Sequence, residues 1–134
     1  MKLTAYRILA GIAGALFVAA GLMLFAEFFK YQQAGSIPAI PTGPVGHYFV
    51  AFTGCAMVGW GGGLLGAARD PASGRTVGTA TAFALVMMGL YRIGVWFVGD
   101  YYVWLGELPR VEAMVFLSLA LAFMWLRPAR GMAR

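Results

Sequence analysis

Residues 8–26, ILAGIAGALFVAAGLMLFA, run for 19 positions without a charged side chain. A helix rises about 1.5 Å per residue, so about 20 such residues cross the roughly 30 Å hydrocarbon core of a bilayer. The run is longer than the apolar core of a secretory signal peptide, and no small-x-small cleavage motif follows it closely. It therefore predicts a first membrane helix over about residues 6–29.

Three further stretches have the same apolar character, and they predict helices at about residues 46–68, 76–99 and 109–127. The loop at 30–45 is rich in proline and glycine, which disfavour helix. The second connection, 69–75, is a short polar turn, and the third, 100–108, is amphipathic and aromatic. We expect one transmembrane domain over residues 1–134, folded as an all-α, integral membrane four-helix bundle.

The overall composition agrees with a lipid environment. The chain is 61% hydrophobic and 11% charged, with a mean hydropathy of +0.78, whereas ordinary globular chains are about half apolar and a quarter charged. A net charge of +5 is also found in proteins that bind nucleic acid. A nucleic-acid partner needs basic residues clustered on one water-exposed face, and here they stand singly beside the ends of apolar segments. We therefore expect contact with lipid and none with nucleic acid.

The distribution of cations predicts the orientation, because positively charged loops resist translocation. Lys30 and Arg110 lie on one side. Seven cations lie on the other: Lys2, Arg7, Arg69, Arg75, Arg127, Arg130 and Arg134. Both termini should therefore be cytoplasmic, in a multi-pass inner-membrane protein. Tyr6 and Trp125 are expected to mark the inner boundary of the bilayer, since aromatic rings favour the headgroup zone.

The second predicted helix is rich in glycine, and two small-xxx-small spacings join Gly59 to Gly63 and Gly62 to Gly66. Such spacings let helix backbones approach closely in lipid. The simpler interpretation is contact with a neighbouring helix of the same bundle. The alternative is an interface with another protein or a second copy of the chain. No heptad pattern is evident along the sequence.

Arg92 is the deepest charged residue, about seven residues inside the end of the third predicted helix and so roughly 10 Å down. An isolated guanidinium costs about 2.5 kcal/mol or more at the membrane centre. Glu112, near the start of the fourth helix, is the expected partner. Asp100 and Glu27 are further candidates for a shared polar cluster in the outer leaflet. The cluster is either a ligand-binding pocket or an interhelical ion pair that fixes register.

His47 is the only histidine, and it opens the second predicted helix. A lone histidine could hold a haem or a pigment, although bis-histidine ligation within one chain is impossible. The commoner explanation is a polar residue facing headgroups at a helix start. No metal-ligand spacing and no serine-histidine-carboxylate pattern is present, so we predict no metal, no cofactor and no catalytic residue.

Several short segments resemble a known family. They are the N-terminal YRILAG of residues 6–11, the YRIG of residues 91–94, Gly99-Asp100 and Glu112. Together they resemble the bacterial membrane proteins grouped as domain of unknown function 4345, and the chain is more distantly similar to DoxX-like four-helix proteins. The resemblance implies a four-helix bundle, a bacterial origin and a matched set of Arg92, Asp100 and Glu112. It implies no reaction.

Three functions follow as hypotheses. The first is a non-enzymatic accessory or structural subunit that packs against a larger membrane complex through the glycine face or the aromatic loop. The second is a protein or carrier that binds a small molecule, lipid or quinone in a polar pocket built around Arg92, Glu112, Asp100, Glu27 and His47. The third is a membrane enzyme that uses those residues as acid and base.

Overall fold

The computed structural model describes residues 1–31, 43–97 and 105–129. Four long helices occupy these ranges: α1 (Lys2–Tyr31), α2 (Gly43–Arg69), α3 (Arg75–Phe97) and α4 (Leu108–Leu126). Each is long and apolar enough to cross a membrane. The predicted all-α class and the four helices are present, with every observed end within four residues of the predicted one. Most of the predicted aromatic loop, including Asp100, lies outside the described residues.

The helix ends follow from local chemistry. α2 begins at Gly43, whose φ of +71° is favourable for glycine. Pro44 follows in the first turn, where a backbone N–H would have no partner within the helix, so the missing N–H of proline costs nothing. Residues 43–45, which the sequence predicts to belong to the loop, are therefore helical. α4 begins after Gly106, whose φ is +54°, and ends at Leu126, where Arg127 takes the extended ψ of 141° that a following proline favours.

The helices group into two compact units. The α1–α2 unit covers Ile8–Arg69. Within it the two helices run antiparallel, because Gly14 faces Gly61 while Gly21 faces Gly54. A Cβ atom added to Gly54 would lie 2.5 Å from the carbonyl oxygen of Gly21, and one added to Gly61 would lie 2.7 Å from that of Gly14. The two backbones are therefore in direct contact at these glycines.

The α3–α4 unit covers Met1–Arg7 together with Asp70–Arg134. Its helices are also antiparallel, and small residues line their contact. Ala82 and Gly89 on α3 and Ala113 and Ala120 on α4 are buried. A Cβ atom on Gly89 would lie 2.9 Å from the side chain of Leu117. The guanidinium of Arg75 donates a hydrogen bond to the carbonyl of Pro128, which joins the start of α3 to the end of α4.

Tyr6 belongs to the core of the α3–α4 unit. Its side chain is fully buried, its hydroxyl donates a 2.8 Å hydrogen bond to the carbonyl of Gly74, and its ring meets that of Phe123 edge to face. The ring therefore packs inside the protein, and its place at the inner boundary of the bilayer stays a prediction. The ring packs against Gly78, where the absence of a side chain leaves room for it. The sequence near Tyr6 does not predict this contact, because Gly78 lies 72 positions away.

Candidate functional site

Arg92 and Glu112 meet across the α3–α4 contact. The Nε atom of Arg92 lies 2.8 Å from Oε2 of Glu112, and that oxygen is shielded from solvent. The antiparallel pairing of α3 and α4 accounts for this meeting, because the end of α3 lies beside the start of α4. The side chains are 33% and 30% exposed, so the pair is only partly enclosed. Their charges neutralise each other, which is what an arginine in an apolar segment requires.

The other members of the predicted polar cluster do not belong to the described part of the α3–α4 unit. Asp100 lies outside the described residues, and Glu27 and His47 belong to the α1–α2 unit. Glu27 is almost fully buried, and its carboxylate lies 3.7 Å from the exposed Nζ of Lys30 one turn along the helix. The structure thus supports one pair from the predicted set, Arg92 with Glu112.

His47 is fully buried, so the expectation that it faces headgroups is wrong. Its Nδ1 donates a 2.7 Å hydrogen bond to the carbonyl of Gly43 in the preceding turn. A carbonyl only accepts, so Nδ1 carries the proton. The burial follows from register, because His47 precedes Gly54 by seven residues, or two turns, and therefore lies on the helix face that contacts α1.

The glycines singled out in the sequence lie on the opposite side of α2. Gly59, Gly62, Gly63 and Gly66 are exposed. A Cβ atom added to Gly59, Gly62 or Gly66 would meet no heavy atom of the described residues within 4 Å. The simpler interpretation, packing inside the bundle, therefore does not apply to these three. That packing belongs to Gly54 and Gly61, and the small-xxx-small face is open.

Arg110, Glu107 and Trp96 form a second charged group at the start of α4, which the sequence did not predict. The guanidinium of Arg110 lies 5.7 Å from the ring centroid of Trp96 and 3.6 Å from Oε2 of Glu107. Arg110 and Glu107 are both more than half exposed. In the sequence Arg110 registers only as one cation at a helix end. The contact with Trp96 depends on the pairing of α3 and α4, which spacing along the chain does not reveal.

Two cavities follow the α3–α4 contact. One, of about 240 Å³, is lined by Trp96 and Arg110 together with Ala113 and Leu117. The other, of about 350 Å³, is lined by apolar side chains that include Val86, Leu117 and Leu121. Leu117 lines both, so the cavities succeed one another along the same pair of helices.

Among the described residues, no three histidine, cysteine or carboxylate side chains lie close enough together to hold a metal ion. No protein-family model, no curated protein and no solved structure matches this chain. The resemblance to domain of unknown function 4345 therefore stays a prediction. Three features of the described residues bear on function: the open glycine face, the Arg92–Glu112 pair and the cavities of the α3–α4 unit.

Proposed function

We propose that this chain is a multi-pass protein of the bacterial inner membrane that acts as a non-enzymatic accessory subunit, packing laterally against a larger membrane complex. The membrane placement rests on four helices that are long and apolar enough to span a bilayer. The cytoplasmic placement of both termini rests on the cation count, and the bacterial origin rests on the family resemblance. The subunit role rests on the surface of α2.

The observation that carries the subunit role is the exposed glycine face, formed by Gly59, Gly62, Gly63 and Gly66. Small residues at helix surfaces allow the close backbone contact that drives association between helices in lipid. An exposed glycine costs roughly 0.8–1 kcal/mol relative to alanine in a helix interior. At Gly59, Gly62 and Gly66 the described residues leave open space where a larger side chain would stand, so packing among these residues does not require glycine there. Close contact with a partner helix would require it.

The other face of the same helix illustrates the kind of contact we propose. Gly54 and Gly61 bring α2 against α1 so closely that an added Cβ atom would lie within 3 Å of backbone atoms. A partner helix with a smooth or small-residue surface would fit the open face in the same manner. Large side chains do not obstruct this part of α2, since the exposed Tyr48, Phe49 and Phe52 lie toward its N-terminal half.

The experiment compares two variants in native membranes. Gly62→Ile with Gly66→Ile places bulky side chains on the open face, and we expect at least a tenfold loss of the co-purifying partner in mild detergent. Ala19→Ile, at an exposed small residue of α1, is the matched control and should retain the partner. Thermal unfolding of both purified variants verifies that each is folded.

Quantitative mass spectrometry of the purified material reads out the result. Equal partner recovery from the glycine variant and the control would overturn the proposal, as would wild-type protein that carries no partner at all. A second copy of this chain as the sole stoichiometric partner would replace the larger complex with a homo-oligomer.

The alternative function, binding of a small molecule, lipid or quinone around Arg92 and Glu112, has weaker support. The two charges lie 2.8 Å apart and so neutralise each other, although Oε2 of Glu112 accepts no well-aligned hydrogen bond from the described residues. Both side chains are partly exposed, so a ligand could reach them, and this observation supports the alternative. A ligand displaced by Arg92→Gln and by Glu112→Gln alike would favour it over the ion-pair role.

A further inference from the structure

We propose that the α3–α4 unit holds one phospholipid along the contact of its two helices, with an acyl chain in the two cavities and the headgroup at Arg110 and Glu107. This site is separate from the Arg92–Glu112 pair and from the glycine face of α2. The inference rests on the membrane placement proposed above, and it does not depend on a protein partner.

The larger cavity is suited to hydrocarbon. Its volume is about 350 Å³, and apolar side chains line it: Ala82, Phe83, Val86, Leu117, Leu121 and Met124. Buried alanines such as Ala82 form its floor, while Phe83 and Leu121 are largely exposed at its rim. Small residues below and large residues beside them leave a depression between the helices, which flexible methylene groups fill better than a rigid polar ligand.

The part of the groove between Arg110 and Leu121 is about as long as one leaflet is thick. Arg110 and Leu121 are eleven positions apart on α4, which corresponds to about 16 Å of helix at 1.5 Å per residue. Half of a roughly 30 Å hydrocarbon core is about 15 Å. The smaller cavity at Trp96 and Arg110 and the larger one beyond it both include Leu117. An acyl chain that starts beside Arg110 would therefore reach Leu121 within its own leaflet.

The charges at the start of this groove select the headgroup. A guanidinium is the side chain best suited to phosphate oxygens, and Arg110 is 58% exposed beside a tryptophan ring of the kind found at headgroup depth. Glu107, 54% exposed, supplies a carboxylate next to it. Because these charges cancel and Arg92 is neutralised by Glu112, the site complements a zwitterionic headgroup, with the phosphate at Arg110 and the ammonium at Glu107.

The test uses purified, delipidated protein and two added lipids with identical acyl chains: phosphatidylethanolamine and diacylglycerol, which lacks the headgroup. Native mass spectrometry counts the lipids retained. We expect one retained phosphatidylethanolamine per wild-type chain and weaker retention of diacylglycerol. Arg110→Gln should lower phosphatidylethanolamine retention about tenfold, since a hydrogen bond to a charged group contributes roughly that factor, and should leave diacylglycerol retention unchanged.

Filling the groove provides the second arm. Val86→Trp and Leu121→Trp place an indole in the larger cavity, and both should reduce retention of either lipid at least tenfold. Val115→Trp, a matched change at an exposed valine of α4, should retain lipid as the wild type does. Using two groove variants protects the test if one of them fails to fold, which thermal unfolding detects.

Equal retention by the groove variants and Val115→Trp would overturn the inference, because it would show only a general lipid annulus. A dimer in the same spectra that Val86→Trp converts to monomer would also overturn it, in favour of a second copy in the groove. Retention of one lipid by wild-type protein that carries no protein partner even in mild detergent would leave this inference standing and count against the subunit proposal alone.

Discussion

The two units solve the same packing problem differently. The α1–α2 unit brings backbones into contact through Gly14, Gly21, Gly54 and Gly61. The α3–α4 unit combines alanines and Gly89 with an ion pair at one end of the contact, and cavities remain along its side. Burial of apolar surface gives little drive in lipid. The comparison indicates that close glycine contact leaves no room for a ligand, whereas contact through side chains does.

The largest effect should come from the glycine contact. Gly54→Ala places a Cβ atom 2.5 Å from the Gly21 oxygen and 2.8 Å from the Phe25 nitrogen, and backbone atoms cannot rotate away. Overpacking of this kind costs about 1–3 kcal/mol, so we expect a clear drop in the thermal midpoint in detergent. Gly59→Ala, in open space on the same helix, is the control and should be neutral or stabilising by up to about 1 kcal/mol. Equal destabilisation by both variants would erase the distinction between the two faces.

A smaller effect is expected from the ion pair. Removing one partner of a fully buried pair costs about 3–5 kcal/mol and an exposed pair contributes about 0–1 kcal/mol. Arg92 and Glu112 are about one-third exposed. We therefore expect Arg92→Ala and Glu112→Ala each to lower the free energy of unfolding by about 1–2 kcal/mol. The double variant should cost less than the sum, and strict additivity would show that the two side chains are not coupled.

The smallest effect concerns the turn that precedes α3. Asp70 accepts a 2.7 Å hydrogen bond from the hydroxyl of Ser73, and this bond, with the Ser73 backbone N–H, lowers the pKa of the Asp70 carboxyl from its ordinary value of 3.8. A carboxyl with a lowered pKa in the folded state stabilises the fold above its unfolded pKa and loses that contribution as the pH falls through the lower, folded value. The thermal midpoint of the wild type should therefore drop more below pH 3.8 than that of Asp70→Asn. The carboxyl is fully exposed, so the difference should be slight, and identical acid profiles would contradict it.

Much of the architecture follows from composition and spacing. Long apolar runs, interrupted by proline, glycine and charge, place all four helices because hydrocarbon leaves a backbone few other ways to satisfy its hydrogen bonds. Arg92 requires a partner because an unpaired guanidinium is costly in hydrocarbon. Glu112 is the carboxylate near the start of the next predicted helix. Helix formation and the pairing of a charge in hydrocarbon both depend on the solvent and on the local sequence, and the sequence therefore predicts them.

The glycines show where such inference ends. Spacings of four drew attention to Gly59, Gly62, Gly63 and Gly66, but four pairs of buried small residues, one on each helix, lie seven positions apart. These pairs are Gly14 with Gly21, Gly54 with Gly61, Ala82 with Gly89, and Ala113 with Ala120. The apolar residues show no heptad pattern, but these small residues do repeat at a spacing of seven. In a helix that is apolar all round, hydrophobicity does not mark the inner face.

The sequence by itself determined that this chain forms four helices suited to a bilayer, where they begin and end, and that Arg92 needs a carboxylate. The tertiary structure decided which face of each helix is covered, that Tyr6 and His47 are buried, and that Arg110 lies beside Trp96 at the entrance to a groove. The physical reason is that helix formation and the solvation of charge are local, whereas the covered face depends on which surfaces of two distant segments fit closely together.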